Sequence, residues 1–361
     1  MTPPPSVLPF LQALSELRGS DLHCKVGSPP RIRIDGRLRR LQADVLTPAD
    51  TEAMLAEVIR PDLVGAFARS SEADFAHSVP GLGRFRVNAY RARGSVGLVF
   101  RRVPEGAIPL PELGLPPIVS TIANEARGLV LVTGPTGSGK STTLAGMIDH
   151  INSTREAHIV TVEDPIEILH ADKVGMVNQR EVHIDTESFS TALRGAMRQD
   201  PDVILIGEMR DAETVRAAIS AAETGHLVLS TLHTIDAQET VNRVIDVFAP
   251  HERQQVRHSL AGALRAVICQ RLVPRADGKG RSVGMEVCIG TGRVLEAIAD
   301  QEKTSGITQI IAEGGFYGMQ TFDQHLVSFV RDGVVRLEDA LEASSSPHDL
   351  QVELRRLGLV A

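Results

Sequence analysis

The segment Leu129-Val-Leu-Val-Thr133 followed by Gly134-Pro135-Thr136-Gly137-Ser138-Gly139-Lys140-Ser141-Thr142 decides the fold. An apolar, β-branched run suits a strand buried on both faces, and the glycine-rich stretch after it has the spacing of a P-loop that opens a helix. Each residue type in that spacing has a job. The glycines let backbone N–H groups turn inward around phosphates, and the helix N-terminus adds partial positive charge. Lys140 neutralises β and γ oxygens, and the Ser141 hydroxyl ligates Mg²⁺. Residues Gly134 to Thr142 are therefore assigned to ATP.

Three further apolar runs follow: His158-Ile-Val-Thr-Val-Glu163, Asp202-Val-Ile-Leu-Ile206 and His226-Leu-Val-Leu-Ser-Thr-Leu232. Alternating with helices, they predict a largely parallel buried sheet, an α/β nucleotide-binding architecture. Beyond Pro250 the pattern reads as mostly helical, with a capped helix from Thr321 to Gly333 and a last one opened by Ser346-Pro347. Before the P-loop, residues 1–102 predict a small α+β domain. Arg31-Ile-Arg-Ile-Asp-Gly-Arg-Leu38 alternates around an Asp35-Gly36 hairpin turn, Thr47-Pro48 caps a helix, and residues 83–90 and 95–101 make two more strands. The stretch 103–117 contains Pro104, Pro109, Pro111, Pro116 and Pro117 and is read as the linker, which leaves 118–361 as the ATPase domain.

Other candidate residues lie at the ends of the predicted strands. Ile204-Leu-Ile-Gly207-Glu208 is an apolar strand ending in a carboxylate, at the side of a parallel sheet where the P-loop also lies, so Glu208 is assigned to magnesium or its water shell. Glu163-Asp164-Pro165-Ile166-Glu167 crowds three carboxylates, which repel unless a cation or an attacking water offsets them. One of them orients or deprotonates water for attack on the γ-phosphorus. His226 and His233 bracket the next strand, and His233 is the candidate γ-phosphate sensor. Arg84, Arg86, Arg91, Arg93, Arg101 and Arg102 crowd the last strands of the first domain and could supply arginine fingers to a nucleotide held by a neighbouring subunit.

Composition narrows the class. At 361 residues the chain suits about two domains, and 42% hydrophobic with 23% charged residues is the balance of a folded soluble protein. No apolar run approaches the length of a membrane span, and Met1-Thr-Pro-Pro-Pro-Ser6 lacks the features of a secretory signal, so a cytoplasmic protein is expected. Cys24, Cys269 and Cys288 form no metal-ligand spacing, so no zinc site is expected. A net charge of −7 argues against nucleic acid as partner.

Taken in order, the P-loop, Glu163 to Glu167, Gly207-Glu208 and Thr231-Leu-His-Thr234 resemble the Walker A, Asp box, Walker B and His box of the secretion ATPase superfamily. Within it the chain is similar to the type IV pilus retraction ATPases. Ser20-Asp-Leu-His23, Gly83-Arg-Phe-Arg-Val-Asn88, Gly207-Glu-Met-Arg-Asp211, Leu264-Arg-Ala-Val-Ile-Cys-Gln-Arg-Leu272 and Gly318-Met-Gln-Thr-Phe-Asp-Gln324 carry the likeness further. The resemblance implies a RecA-like P-loop NTPase domain preceded by a smaller PAS-like domain, assembled as a hexamer. It implies Glu167 as catalytic carboxylate with Glu163 in support, and Arg86 and Arg101 completing a neighbour's site. It further implies a place at the cytoplasmic face of the inner membrane, on a platform protein of the pilus machine. Assembly and type II secretion ATPases of this superfamily usually carry an extra amino-terminal domain and a four-cysteine zinc module, which this chain lacks. At the place where retraction ATPases often read Ala-Ile-Arg-Asn-Leu-Ile-Arg-Glu, it reads Val294-Leu-Glu-Ala-Ile-Ala-Asp-Gln-Glu302. The expected mechanism is a cyclic motor, turning about the linker, that powers pilus retraction. The alternatives are an assembly or type II secretion motor, or a nucleotide-binding scaffold with weak turnover.

Overall fold

The computed structural model describes residues 6–360, and the chain divides into two compact units at Glu105 and Gly106. The first unit holds a six-stranded antiparallel sheet of β1 (Asp21–Lys25), β2 (Arg31–Ile34), β3 (Arg37–Arg40), β4 (Glu72–Val79), β5 (Gly83–Ala92) and β6 (Ser95–Arg102), in the order β3-β2-β1-β6-β5-β4. Helices α1 (Leu8–Glu16), α2 (Pro48–Val58) and α3 (Pro61–Ser70) complete it. The expected hairpin is present, with Asp35 and Gly36 both at positive φ, as a two-residue turn of the primed type requires. Thr47 and Asp50 form a reciprocal capping box with Pro48 at the helix start. One core, built on Leu11, Leu14, Leu22, Phe85 and Phe100, fills this unit.

The second unit is a seven-stranded sheet of β7 (Gly128–Thr133), β8 (His158–Glu163), β9 (Met176–Glu181), β10 (Val203–Ile206), β11 (Leu227–Leu232), β12 (Leu264–Pro274) and β13 (Arg281–Ile289), ordered β13-β12-β7-β11-β10-β8-β9. All neighbours are parallel except β12 and β13. The helices are α4 (Ile118–Ala123), α5 (Lys140–Thr154), α6 (Phe189–Ala196), α7 (Ala212–Glu223), α8 (Ala237–Asp246), α9 (Arg253–Ala263), α10 (Gly292–Ala299), α11 (Ile307–Glu313), α12 (Phe322–Arg331), α13 (Leu337–Ala343) and α14 (Pro347–Arg356). Strand alternation divides the interior. Leu129 and Leu131 pack toward α7, α8 and α9, while Val130 and Val132 pack toward α4 and α5, so every residue of β7 is buried. No helix among the described residues is long and apolar enough to cross a membrane.

Two expectations change. The region past Pro250 is mostly helical as expected, but it also holds two strands that its sequence did not announce: β12 and β13 extend the sheet beside the P-loop strand, because Ala266, Val267, Ile268 and Cys269 continue its two buried faces. The stretch read as linker is also mostly packed. Leu110 is buried in the α4–α5 core, and Leu113 and Leu115 lie against it. Gly146 of α5 leaves room for this segment, since a Cβ there would stand 2.8 Å from Leu113. Only Pro104 and Glu105 lie between the Val103 N–H, bonded to Arg84 of the first unit, and the Gly106 N–H, bonded to Leu169 of the second.

Two buried ionisable groups flank β13. Burial pushes the Glu286 carboxyl up to about 7, against the Ala237 N–H that donates to it at 2.8 Å and the nearby Arg271, while Asp236 reinforces the rise. Burial pulls His325 down to about 4, and its Nδ1 accepts the Met285 N–H at 2.9 Å as a neutral ring can. The signs oppose. Between its unfolded value of 4.5 and about 7, Glu286 binds more proton folded than unfolded, so its contribution falls as pH rises. Between about 4 and 6.5 the unfolded His325 binds more, so its contribution grows. Glu286→Gln should therefore make Tm rise more steeply from pH 5 to pH 7 than in the wild type, as measured by calorimetry; superimposable pH–Tm curves would refute it.

Candidate nucleotide-binding site

The carboxyl ends of β7, β8, β10 and β11 open into a cleft of about 670 Å³, a size that suits a nucleotide-sized ligand. The sequence places the P-loop there because β7 ends at Thr133 and α5 starts at Lys140. Gly134, Gly137 and Gly139 all have positive φ, which side-chain-bearing residues adopt at a cost. Gly134 has a second reason to be glycine, as a Cβ there would lie 2.3 Å from the Gln270 carbonyl oxygen. Lys140 Nζ donates to the Gly134 and Pro135 carbonyls at 2.8 and 3.1 Å. Burial lowers its pKa, and the charges of Glu208 and Glu167 oppose that. Ser141 is exposed on the cleft wall at the first turn of α5.

The two Asp-box glutamates sit in different environments. Glu163 ends β8 with its carboxylate accepting from Thr161 Oγ1 at 2.6 Å and Gln179 Nε2 at 3.1 Å, and from the Glu167 N–H. Burial raises its pKa against those hydrogen bonds, and the charge of Glu167 raises it further. Gln179 of β9 also donates to the Ile168 carbonyl and accepts the His170 N–H, so it clamps the whole loop. Glu167 itself is exposed and faces the cleft. The arrangement makes Glu163 the holder of the loop and leaves Glu167 to meet a ligand.

Glu208 follows the end of β10, half-buried, with Arg210 Nη2 2.7 Å from Oε2 and His233 Nε2 3.3 Å from Oε1. Burial alone would raise its pKa, but the hydrogen bond and charge of Arg210 together with His233 hold it below the usual carboxylate range. It is therefore an anionic hard-oxygen donor across the cleft from the Ser141 hydroxyl, and that pair fits Mg²⁺. His233, at the end of β11, thus joins the site through Glu208. His226 does not: its ring Nδ1 lies 2.9 Å from the Ala221 carbonyl, a structural contact at the other end of the strand.

The structure brings together Thr136, Lys140, Ser141, Glu163, Glu167, Glu208 and His233. Arg86 and Arg101 belong to the first unit, where they face each other across β5 and β6. Asp21, nearly fully buried, grips Arg101 Nε at 2.8 Å and lies 3.7 Å from Arg33. Arg210, Arg281, Gln179 and Gln270 were missed as site residues by the sequence reading. Arg210 had a signal, a cation two residues past a strand-end carboxylate; the others act from strands whose sequence announces no site.

The model of the type II/IV secretion system protein family matches residues 104–341. The type IV pilus retraction ATPase PilT of Pseudomonas aeruginosa is 46% identical over 340 residues, 94% of this chain and 98% of the relative. A twitching motility protein of Neisseria gonorrhoeae is 44% identical over 333 residues, 91% and 89% of the two chains. Among solved structures, the pilus retraction motor PilT with bound ADP aligns with a TM-score of 0.88 at 42% identity, covering 96% of this chain and 99% of that one.

Proposed function

This chain belongs to the type II/IV secretion system protein family, matching pilus retraction and twitching motility relatives over more than nine-tenths of its length, and on that premise we propose that it is the ATPase that powers retraction of type IV pili. The observation that carries the proposal is the convergence of the P-loop with Glu167, Glu208 and His233 in one cleft.

In this reading the P-loop amides and Lys140 bind the β and γ phosphates. Glu167 accepts the proton of the water that attacks the γ-phosphorus, the bond to the β-phosphate oxygen breaks, and ADP and phosphate leave. Ser141 and Glu208 would hold Mg²⁺, whose charge offsets that of the phosphate oxygens. Arg210 keeps Glu208 ionised, and His233, bonded to Glu208, is placed to register the γ-phosphate. The protein works as a ring of six copies beneath an inner-membrane platform protein. Asp21 presents Arg101, beside Arg86, to the nucleotide of the next copy.

Cells that carry Glu208→Gln in place of the wild-type gene test this. Retraction predicts more surface pili with twitching lost, counted by electron microscopy and a plate assay. Bald cells would identify an assembly motor instead, and wild-type pili with normal twitching would overturn both.

A further inference from the structure

Strand β12 touches the nucleotide cleft with one face and the C-terminal helices with the other. Its residues alternate, as strand geometry requires. Gln270 and Leu272 turn toward the P-loop: Gln270 is almost completely buried, its Nε2 donates to the Ser138 carbonyl at 2.8 Å, and both side chains lie against Gly139. Arg271 and Val273 turn the other way. Arg271 donates to the Ala343 carbonyl at 2.7 Å and to Ser345 Oγ at 3.0 Å, just past α13, and its guanidinium lies 4.4 Å from the centre of the Phe322 ring. Among the described residues, Val273 is the one sheet residue in the separate core that holds Phe322, Leu326, Ala340, Leu350 and Leu354 of the C-terminal helices and Val335 of the turn between α12 and α13. On β13, Gly284 faces Arg271 and carries no side chain, so Phe322 lies directly on the sheet.

The amide oxygen of Gln270 is buried and makes no hydrogen bond among the described residues, so only the bond from Nε2 to Ser138 orients this side chain. The position of that bond follows the backbone of β12, whose pairing with β7 ends at Cys269, so that from Gln270 onward the strand is held by β13 on one edge and by the grip on Arg271 and Val273 at its far face.

We propose that β12 is a two-faced transmission strand: Gln270 positions the P-loop, and helices α12 to α14, through Arg271 and Val273, set where Gln270 stands. Docking or displacement of the C-terminal helices then changes nucleotide affinity, and nucleotide binding in turn changes the order of those helices, because coupling between two sites is reciprocal.

The test is a double-mutant cycle on the full-length protein with ADP as the titrated ligand and steady-state KM and kcat as second readout. Gln270→Met strands the Ser138 carbonyl and should raise the ADP Kd and the KM for ATP about tenfold, with a smaller change in kcat. Arg271→Ala, whose side chain touches no P-loop atom, should raise both in the same direction. The double variant should be little worse than either single one, because both remove the same coupling. An unaltered Kd in Arg271→Ala, or effects that multiply in the double variant, would overturn the proposal. A purely structural role would lower Tm without moving KM. If the variants fail to fold, hydrogen exchange on the wild-type protein decides: ADP should slow exchange in α12 and α13, and unchanged exchange there overturns the idea. The inference rests on the cleft being the nucleotide site, which Lys140→Ala tests separately through loss of ADP binding.

Discussion

Glutamine in place of Glu167 should lower kcat for ATP hydrolysis by about a hundredfold or more, leave KM within about twofold, and leave Tm unchanged. The asymmetry between the two Asp-box glutamates is the reason. Glu167 is exposed on the cleft and shares no side-chain hydrogen bond in the loop, so its loss removes a proton acceptor and little else. Glu163 already accepts from Thr161, Gln179 and the Glu167 N–H, and burial raises its pKa. Glu163→Gln should therefore lower Tm and kcat together, through disorder of the loop that carries Glu167. Calorimetry and steady-state kinetics on both variants separate the roles. A Glu163→Gln protein that is inactive with wild-type Tm, beside an active Glu167→Gln protein, would reverse the assignment.

Alanine at Lys140 should reduce kcat/KM by about a thousandfold or more and abolish measurable ADP binding. The ammonium is largely buried between the Gly134 and Pro135 carbonyls, where Glu208 and Glu167 favour its charged form against burial. No other cation stands within the P-loop sequence, Arg210 is already engaged with Glu208, and Arg281 reaches the cleft wall from β13, outside the P-loop, so none of them takes the place of Lys140 between the Gly134 and Pro135 carbonyls. Titration with ADP and a phosphate-release assay would show the loss. Turnover at the wild-type rate would mean that the phosphates bind elsewhere.

Much of this site was legible because its chemistry is local. The P-loop, Glu163 and Glu208 each follow directly on an apolar strand, so a reader who finds the strand also finds the residue at its carboxyl end. What stayed hidden depends on contacts between distant segments. In β12 the run is broken by Arg265, Gln270 and Arg271, which suggests a surface helix until the partners of the last two, Ser138 on one face and Ala343 on the other, are known. β9 carries four polar residues, Asn178, Gln179, Arg180 and Glu181, and no apolar pattern, yet Gln179 clamps the catalytic loop. The prolines after residue 103 signalled an irregular chain correctly. They could not signal that Leu110, Leu113 and Leu115 between them would pack on α4 and α5.

That packed segment bears on how much motion such a motor could waste. With the Val103 N–H bonded in one unit and the Gly106 N–H in the other, the chain between them is Pro104 and Glu105, about 10 Å with one of its two φ angles fixed by proline. In a machine whose two units turn against one another, a tether this short leaves almost no backlash: a displacement at either end reaches the other before slack can absorb it. Lengthening it by a few Gly-Ser pairs at Glu105 would act like a loosened coupling on a drive shaft, with fuel consumption intact and work output lost.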